Sequence, residues 1–436
     1  MLPEFEPAVM EMSQYFPPSP HQVPRFSISD LHRIAELLAR PSSQWRESWS
    51  RAPRLYCVLR LIGLEFEMTK LINGGINSDF WFPFNARTVP WCLSSQQREK
   101  FLEAQKAVIT DDLFLEKDVE GGKESKHVHF ETDEGSAFKR LAILGKGGFG
   151  EVDKVESRIS HRVYARKRTR RAWILPISRA GMEVFERERN SMMKIRHHHC
   201  VEFIGSYTTP TFLGLLISPV AELNLEELLS ERQVSFPERY SLLRSSFGCL
   251  SSGIKYLHEE IKIRHRDIKP ANVLIYEGSV KIADFGLSLD WAGGHSTTTK
   301  GTCPGWSQRY CAPEVAQFQP RNSSSDIWSL GCIFLEVITV LKGQLVNGLL
   351  DFLGKGGRGG SGPPYHIKQQ AIKSWIQRLT SISDEDNEPI AWVDKMLEPV
   401  KERRPTASQL VKYTCSQHEA SGLLYCGKCC AENVHP

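Results

Sequence analysis

Eight consecutive residues, His265-Arg-Asp-Ile-Lys-Pro-Ala-Asn272, constrain this chain more than any other feature. They put a carboxylate, a cation and an amide into one short segment. Asp267 suits acceptance of a proton from an attacking hydroxyl. Lys269 suits charge on a transferring γ-phosphoryl group, and Asn272 offers an oxygen to a magnesium ion. The run Val280-Lys-Ile-Ala-Asp-Phe-Gly286 follows, and Asp284 supplies a second hard oxygen ligand. Paired oxygen ligands of this kind suit Mg²⁺ bridging phosphates. An octapeptide of this composition does not arise by chance.

Two stretches match G-x-G-x-x-G, and their contexts differ. Gly145, Lys146, Gly147, Gly148, Phe149 and Gly150 lie between strand-like runs at 141–144 and 151–156. Glycines there let backbone N–H groups approach phosphate oxygens without a Cβ in the way. A dinucleotide-binding fingerprint must open a helix, whereas a strand carrying Val152 is predicted here. The second match, Gly354 to Gly359, runs into Ser361-Gly-Pro-Pro and reads as a flexible surface loop.

A phosphate-holding cation is expected on the next strand, in Val163-Tyr-Ala-Arg-Lys167, which includes Ala165. Lys167 sits in a basic run with Arg166, Arg168, Arg170 and Arg171. Such a run also fits a solvated face or a nuclear-import signal. The offset from Gly150 and Val152 singles out Lys167. A helix over 179–195 carries Glu183, Glu186 and Glu188 as partners for the lysine.

The 436 residues fit two or three domains at about 100–200 residues each. A hydrophobic fraction of 41% and a charged fraction of 24% exclude wholesale disorder and fibrous folds. The net charge of +4 is too even to mark a nucleic-acid binder, but it is uneven along the chain. Residues 1–135 hold 15 basic and 20 acidic side chains; residues 136–436 hold 40 and 31. Residues 1–26 are Pro-rich and expected to be unfolded. Helices are predicted from an N-cap at Asp30, over 54–72, and from Ser94, where Gln97 completes a capping box. Asp79-Phe-Trp-Phe-Pro-Phe84 supplies core aromatics between them. This defines a helical unit at 27–115 and an acidic linker at 116–136.

Residues 1–12 carry Glu4, Glu6 and Glu11 and lack the pattern of a secretory signal. Apolar stretches such as 330–341 fall short of the about 20 residues that span a bilayer. The 11 cysteines fit free thiols in a reducing compartment. A cytoplasmic protein with no transmembrane segment is expected.

From residue 137 to 414 the chain resembles a eukaryotic protein kinase domain of the serine/threonine type. Cys311-Ala-Pro-Glu314 resembles the family's APE motif, and Asp326-Ile-Trp-Ser-Leu-Gly331 the aspartate region that braces the catalytic loop. The resemblance implies an α+β bilobal kinase fold, with a β-rich N-lobe and a larger helical C-lobe behind the small helical unit. It implies ATP and Mg²⁺ or Mn²⁺ as cofactors. It also implies protein substrates carrying Ser or Thr, and no nucleic acid. Asp267, Lys269, Lys167 and Glu188 would be catalytic, and Asn272 and Asp284 would hold metal. Residues 145–150, Val152, Ala165, Lys167, Ile217 as gatekeeper, Ser218 and Val220 of the hinge, and Leu274 would bind nucleotide. Arg404 would pair with Glu314. Asp267-Ile-Lys269 and Ser307 resemble the serine/threonine pattern. The helical unit together with the kinase region is also similar to kinase-domain proteins of filamentous fungi.

The competing expectation is a pseudokinase or scaffold, but every chemical position is filled. A phosphate on Ser296, Thr297, Thr298, Thr299 or Thr302 would bond Arg266 and Lys281 and order that loop. The helical unit is expected to dock in cis on the basic part. Residues 415–436 form a Cys-rich tail, where Cys415, His418, Cys426 and Cys429 have zinc-ligand spacing, with Cys430 and His435 nearby. The same residues fit a tail of reduced or acylated thiols.

Overall fold

The computed structural model describes residues 5–16, 25–40, 47–109, 127–132, 137–147, 150–171, 179–230, 239–291, 307–354, 362–415 and 423–431. The chain divides into two compact units, Met1–Glu186 with Phe203–Ser218, and Arg187–Glu202 with Pro219–Pro436.

The first unit begins with helix α1 (Phe5–Gln14), inside the tail expected to be unfolded. Met12 is fully buried, and Glu11 accepts from Arg33 Nε at 2.5 Å and Nη2 at 3.0 Å. These tertiary contacts hold a helix too short to persist alone. Helix α2 (Ile28–Ala39) buries Leu31, Ile34, Leu37 and Leu38. Its N-cap is Ser27, one turn before the expected Asp30. Asp30 instead closes the capping box: its amide donates to Ser27 Oγ at 3.1 Å, and its carboxylate accepts from Ser27 N at 2.8 Å.

The single helix expected over 54–72 is two helices, α3 (Pro53–Leu61) and α4 (Met68–Asn73). Gly63, at φ +70°, reverses the chain between them, and Leu64 N donates to Leu59 O at 2.8 Å. Asp79 satisfies the start of α3 by accepting from Arg54 N at 3.1 Å. Helix α5 (Ser95–Ala104) has the expected Ser94–Gln97 capping box. Trp81, Phe82 and Phe84 are buried, with Phe84 edge-on to Phe101 at 5.3 Å.

A six-stranded sheet follows in the order β1-β5-β6-β4-β3-β2. Its strands are β1 (His127–His129), β2 (Phe138–Gly147), β3 (Gly150–Ser157), β4 (Val163–Arg170), β5 (Glu202–Thr208) and β6 (Phe212–Ser218). Neighbours are antiparallel from β2 to β3, β3 to β4 and β4 to β6, while β1 runs parallel to β5. Strand β1 lies in the stretch expected to be linker. Val128 and Phe130 bury beside Phe138, Val155 and Tyr207, so the strand covers the β5 edge and extends the core. His129 Nδ1 lies 2.7 Å from Thr208 Oγ1 and 3.1 Å from Phe82 O, tying strand to helical unit.

The basic run is not a solvated face. Arg166 forms a buried fork on Asp153 at 2.9 and 2.7 Å, and Arg168 bonds Glu151. Arg171 is buried and donates to Pro83 O at 2.6 Å, Thr209 O at 2.8 Å and Trp81 O. Burial lowers the Arg171 guanidinium to about 10, still charged at neutral pH. Within this unit carbonyls of the helical segment and of the sheet thus meet around one buried cation.

Helix α6 (Arg179–Lys194) follows the sheet's third antiparallel strand. The second unit carries β7 (Leu223–Asn224), α7 (Leu225–Leu229), α8 (Arg239–Lys255), β8 (Ile263–Arg264), β9 (Val273–Tyr276), β10 (Ser279–Ile282) and β11 (Leu289–Asp290). Then come α9 (Pro313–Ala316), α10 (Ser324–Leu341), α11 (Val346–Phe352), α12 (Gln369–Thr380), α13 (Glu388–Met396), α14 (Ala407–Cys415) and α15 (Lys428–Ala431). Among the described residues α10 alone is long and apolar enough to cross a bilayer, yet 83% of it is buried inside the protein. It is the core helix of this unit: Phe334 meets Phe247 of α8 at 4.7 Å, and Trp328 is fully buried.

Candidate active site

The expected site residues fall on both units. In the first, Gly145 pairs with Val152 and Gly147 with Gly150 across the β2–β3 hairpin. A Cβ on Gly150 would stand 2.0 Å from Arg168 O, so only glycine fits. Lys146 pairs with Glu151 in the same hairpin; Gly148 and Phe149 lie outside the described residues. Val152 is opposite Lys167, and Ala165 opposite Ile217. Side chains alternate along a strand. Val152, Ala165, Lys167 and Ile217 therefore share one face of the sheet, while Tyr164, Arg166 and Arg168 are buried on the other. Ser218 ends β6. Glu186 accepts from Ser78 Oγ, so that glutamate is committed to the helical segment.

In the second unit Glu188 is buried, and its Oε2 lies 3.4 Å from the place a Gly286 Cβ would take. The same position is 3.4 Å from Asp284 Oδ1. Asp284 holds φ +63°, a sparsely populated conformation for a non-glycine residue. Val220 precedes β7, and Leu274 on β9 pairs with Asn224 and Lys281.

The eight-residue segment is braced from α10. Asp326 is buried and accepts from His265 N at 2.9 Å and Arg266 N at 2.8 Å. His258 Nε2 lies 2.8 Å from the same carboxylate, carried there by a π-turn at Tyr256–Glu260 that ends α8. Burial alone would raise the Asp326 carboxyl; the His258 bond and the surrounding donors outweigh it and hold it below the usual value. These bonds hold Arg266 at φ +71°. His258 carried no signal in the sequence, because its partner is 68 residues away.

Asp267 Oδ2 accepts from Lys269 Nζ at 2.7 Å and Asn272 Nδ2 at 3.1 Å. Asn272 Nδ2 also donates to Asp267 O at 2.8 Å. With its nitrogen so engaged, the Asn272 amide presents its oxygen, an acceptor that can also ligate a cation. That oxygen and the Asp284 carboxylate are the hard ligands a magnesium ion prefers. Lys269 Nζ also donates to Ser307 Oγ at 3.0 Å, joining three residues of the serine/threonine pattern. Among the described residues Asp267 Oδ1 is buried with no hydrogen-bond partner. Lys281 donates to His198 O at 2.6 Å. Ser296, Thr297, Thr298, Thr299 and Thr302 lie outside the described residues.

Three residues beyond Ser307, Tyr310 donates to Glu336 Oε1 at 3.0 Å, and Tyr365 donates to it at 2.6 Å. Burial pushes Glu336 up to about 7, against the lowering effect of the two tyrosines and Arg309. A carboxyl whose folded value exceeds its unfolded 4.5 favours folding when protonated. That contribution is full below about pH 4.5 and is lost as pH rises through about 7. Glu336→Gln is expected to gain roughly 2–3 kcal/mol on wild type between about pH 5 and pH 8. Urea melts of both proteins at the two pH values check this; parallel pH profiles would refute it.

A protein kinase domain family model matches residues 138–415. Among similar proteins, the serine/threonine-protein kinase AtPK1/AtPK6 of Arabidopsis thaliana is 29% identical over 268 residues, which is 61% of this chain and 51% of that protein. The serine/threonine-protein kinase PLK2 of Mus musculus is 31% identical over 231 residues, 51% of this chain and 31% of that protein. The serine/threonine-protein kinase H1 of Mus musculus is 29% identical over 259 residues, 55% of this chain and 56% of that protein. The chain thus spans about half or less of the length of these relatives.

Proposed function

Because the chain belongs to the protein kinase family, we propose that it is a serine/threonine kinase acting in intracellular signalling. It would transfer the γ-phosphoryl group of MgATP to Ser or Thr hydroxyls of protein substrates. The observation that carries this reading is the state of Asp267. One carboxylate oxygen is fixed by Lys269 and Asn272, and the other is buried without a partner among the described residues. A buried acceptor with open capacity is costly unless a donor arrives. A substrate hydroxyl is such a donor, and Asp267 would align it and take its proton.

Lys269, shared between Asp267 and Ser307, would neutralise charge on the transferring group and present a Ser or Thr hydroxyl. Asn272 and Asp284 would hold magnesium, which when bound neutralises the nucleotide phosphates. Residues 145–150 and Lys167 would hold those phosphates, and Glu188 would orient the lysine. Val152, Ala165, Ile217, Ser218, Val220 and Leu274 would surround the base. We assign catalysis to residues 137–414. Residues 27–115 would be a fixed part of the sheet-bearing unit that tunes it.

Incubating the full chain with Mg²⁺, γ-labelled ATP and a mixed protein substrate tests the proposal. Label on phosphoserine and phosphothreonine is the expected result. Label on phosphotyrosine alone, or ATP binding without transfer, would overturn it.

A further inference from the structure

The second unit gathers a histidine and three cysteines that phosphoryl transfer does not use. His199, Cys249, Cys429 and Cys430 each offer one ligand atom, and all four atoms lie within 4.8 Å of one another. They come from three places in the chain. His199 precedes the bridge of Cys200 to Ile282, Cys249 is in the middle of α8, and Cys429 and Cys430 are on α15. His199, Cys249 and Cys430 are buried, and Cys429 closes the cluster towards solvent. We propose that these four residues bind a structural Zn²⁺ ion that clips the C-terminal segment to α8.

The spacing suits the ion. Zinc–sulfur bonds of about 2.3 Å and zinc–nitrogen bonds of about 2.0 Å in a tetrahedron put sulfurs about 3.8 Å apart and a sulfur about 3.5 Å from a nitrogen. Cys249 and Cys429 sulfurs are 3.8 Å apart, and Cys429 Sγ is 3.4 Å from His199 Nε2. Cys430 Sγ is 2.9 Å from the same nitrogen, a thiol–imidazole hydrogen bond that metal binding replaces. The other ring nitrogen, Nδ1, is 3.0 Å from Val280 O. A proton on Nδ1 satisfies that carbonyl and leaves the Nε2 lone pair facing the sulfurs, as in a metal-ligating histidine.

The backbone around the cluster is shaped to admit the sulfurs. A Cβ on Gly427 would stand 2.9 Å from Cys429 Sγ and 3.0 Å from Cys249 Sγ. A Cβ on Gly248 would stand 2.7 Å from Cys426 Sγ. Gly248 N donates to Tyr425 O at 2.8 Å, so the C-terminal segment is already seated on α8.

Binding is proton exchange without redox change. Zn²⁺ forms three bonds to sulfur and one to Nε2, and the three thiols release three protons to solvent. Three thiolates and an imidazole suit zinc, and four protein ligands leave no open position, which makes the site structural. The set differs from the one the tail's spacing suggested. His418 lies outside the described residues, and Cys415 and Cys426, whose sulfurs are 2.8 Å apart, stand beside the cluster with the Cys426 thiol against Cys430. The clip reaches towards the site, because His199 O accepts from Ile282 N at 2.8 Å, two residues before Asp284.

The test uses the full chain purified with a thiol reductant and no chelator. Elemental analysis is expected to find about one zinc per chain. Replacement by Co²⁺ is expected to give the visible bands of a tetrahedral thiolate complex. Cys429, although exposed, is expected to resist alkylation until a chelator is added, and then to react together with Cys430. His199→Asn and Cys249→Ser are expected to lose the metal, while Cys200→Ser and Cys415→Ser keep it. Zinc-free protein without cobalt bands overturns the proposal, as does a disulfide among these cysteines. Zinc retained while Cys429 alkylates at once, or zinc lost on Cys415→Ser, overturns the ligand set even if the other variants fail to fold.

Discussion

Asp267→Asn is expected to lower kcat by about 10²–10⁴-fold while the KM for ATP stays within about twofold. The substitution keeps the side chain's size and its capacity to accept from Lys269, now 2.7 Å away. It removes the basicity, and it puts an amide hydrogen where Oδ1 faces an empty hydrogen-bonding position. The incoming hydroxyl would then meet a donor instead of an acceptor. Residues assigned to the nucleotide are untouched, so nucleotide affinity is the control. The decisive measurement is single-turnover phosphoryl transfer, with thermal stability recorded on the same samples. Transfer within tenfold of wild type in a folded Asn variant would refute Asp267 as the base.

Arg404→Ala is expected to destabilise the protein by about 3–5 kcal/mol. The Arg404 guanidinium makes a two-pronged contact with Glu314, Nη1 to Oε1 and Nη2 to Oε2, both at 2.8 Å. Both side chains are buried, and Arg404 also donates to Glu398 O at 2.8 Å, Ser324 O at 3.0 Å and Pro399 O at 3.1 Å. Truncation leaves a buried carboxylate without its partner, takes one donor from each of three carbonyls and removes a cation stacked 5.1 Å from the Trp328 ring centroid. Lysine cannot reproduce the fork, so Arg404→Lys should recover only part of the loss. The contrast is the partly exposed pair Lys194–Asp290, where Asp290→Asn should cost at most about 1 kcal/mol. Urea denaturation of the three variants separates these values. A loss under about 1 kcal/mol for Arg404→Ala would refute the buried-fork account.

The legible parts of this chain are those in which chemistry is written in adjacent residues. His265 to Asn272 and the Asp284 turn carry their functional groups on adjacent residues, so residue order reads as chemistry, although Asp326 of α10 sets the backbone of the first. The Gly145–Gly150 hairpin is legible for a related reason: at Gly150 a Cβ would stand 2.0 Å from Arg168 O, so only glycine fits there. The Ser94–Gln97 capping box closes over four residues and is found where its spacing puts it. The readings that failed depended on partners far along the chain. Helix α1 is ordered by Arg33, and strand β1 by β5. The basic run around Lys167 looks solvated until Asp153, Glu151 and the carbonyls of Trp81 and Pro83 are placed beside it.

The cysteines show the same division. Spacing in the tail pointed to Cys415, His418, Cys426 and Cys429 because close pairs are what a sequence displays. His199 and Cys249 are 230 and 180 residues from Cys429, and only packing brings their ligand atoms together. The three consecutive histidines at 197–199 were the available signal, but their spacing does not say which one turns inward. By itself the sequence determined the family, the α+β architecture and the segment that carries Asp267, Lys269 and Asn272, since each rests on short-range residue order. Only the tertiary structure decided which charges are buried, how the helical segment seats on the sheet, and which thiols meet. Those outcomes depend on desolvation and on satisfying buried polar groups, and both are set by partners the chain brings together only when folded.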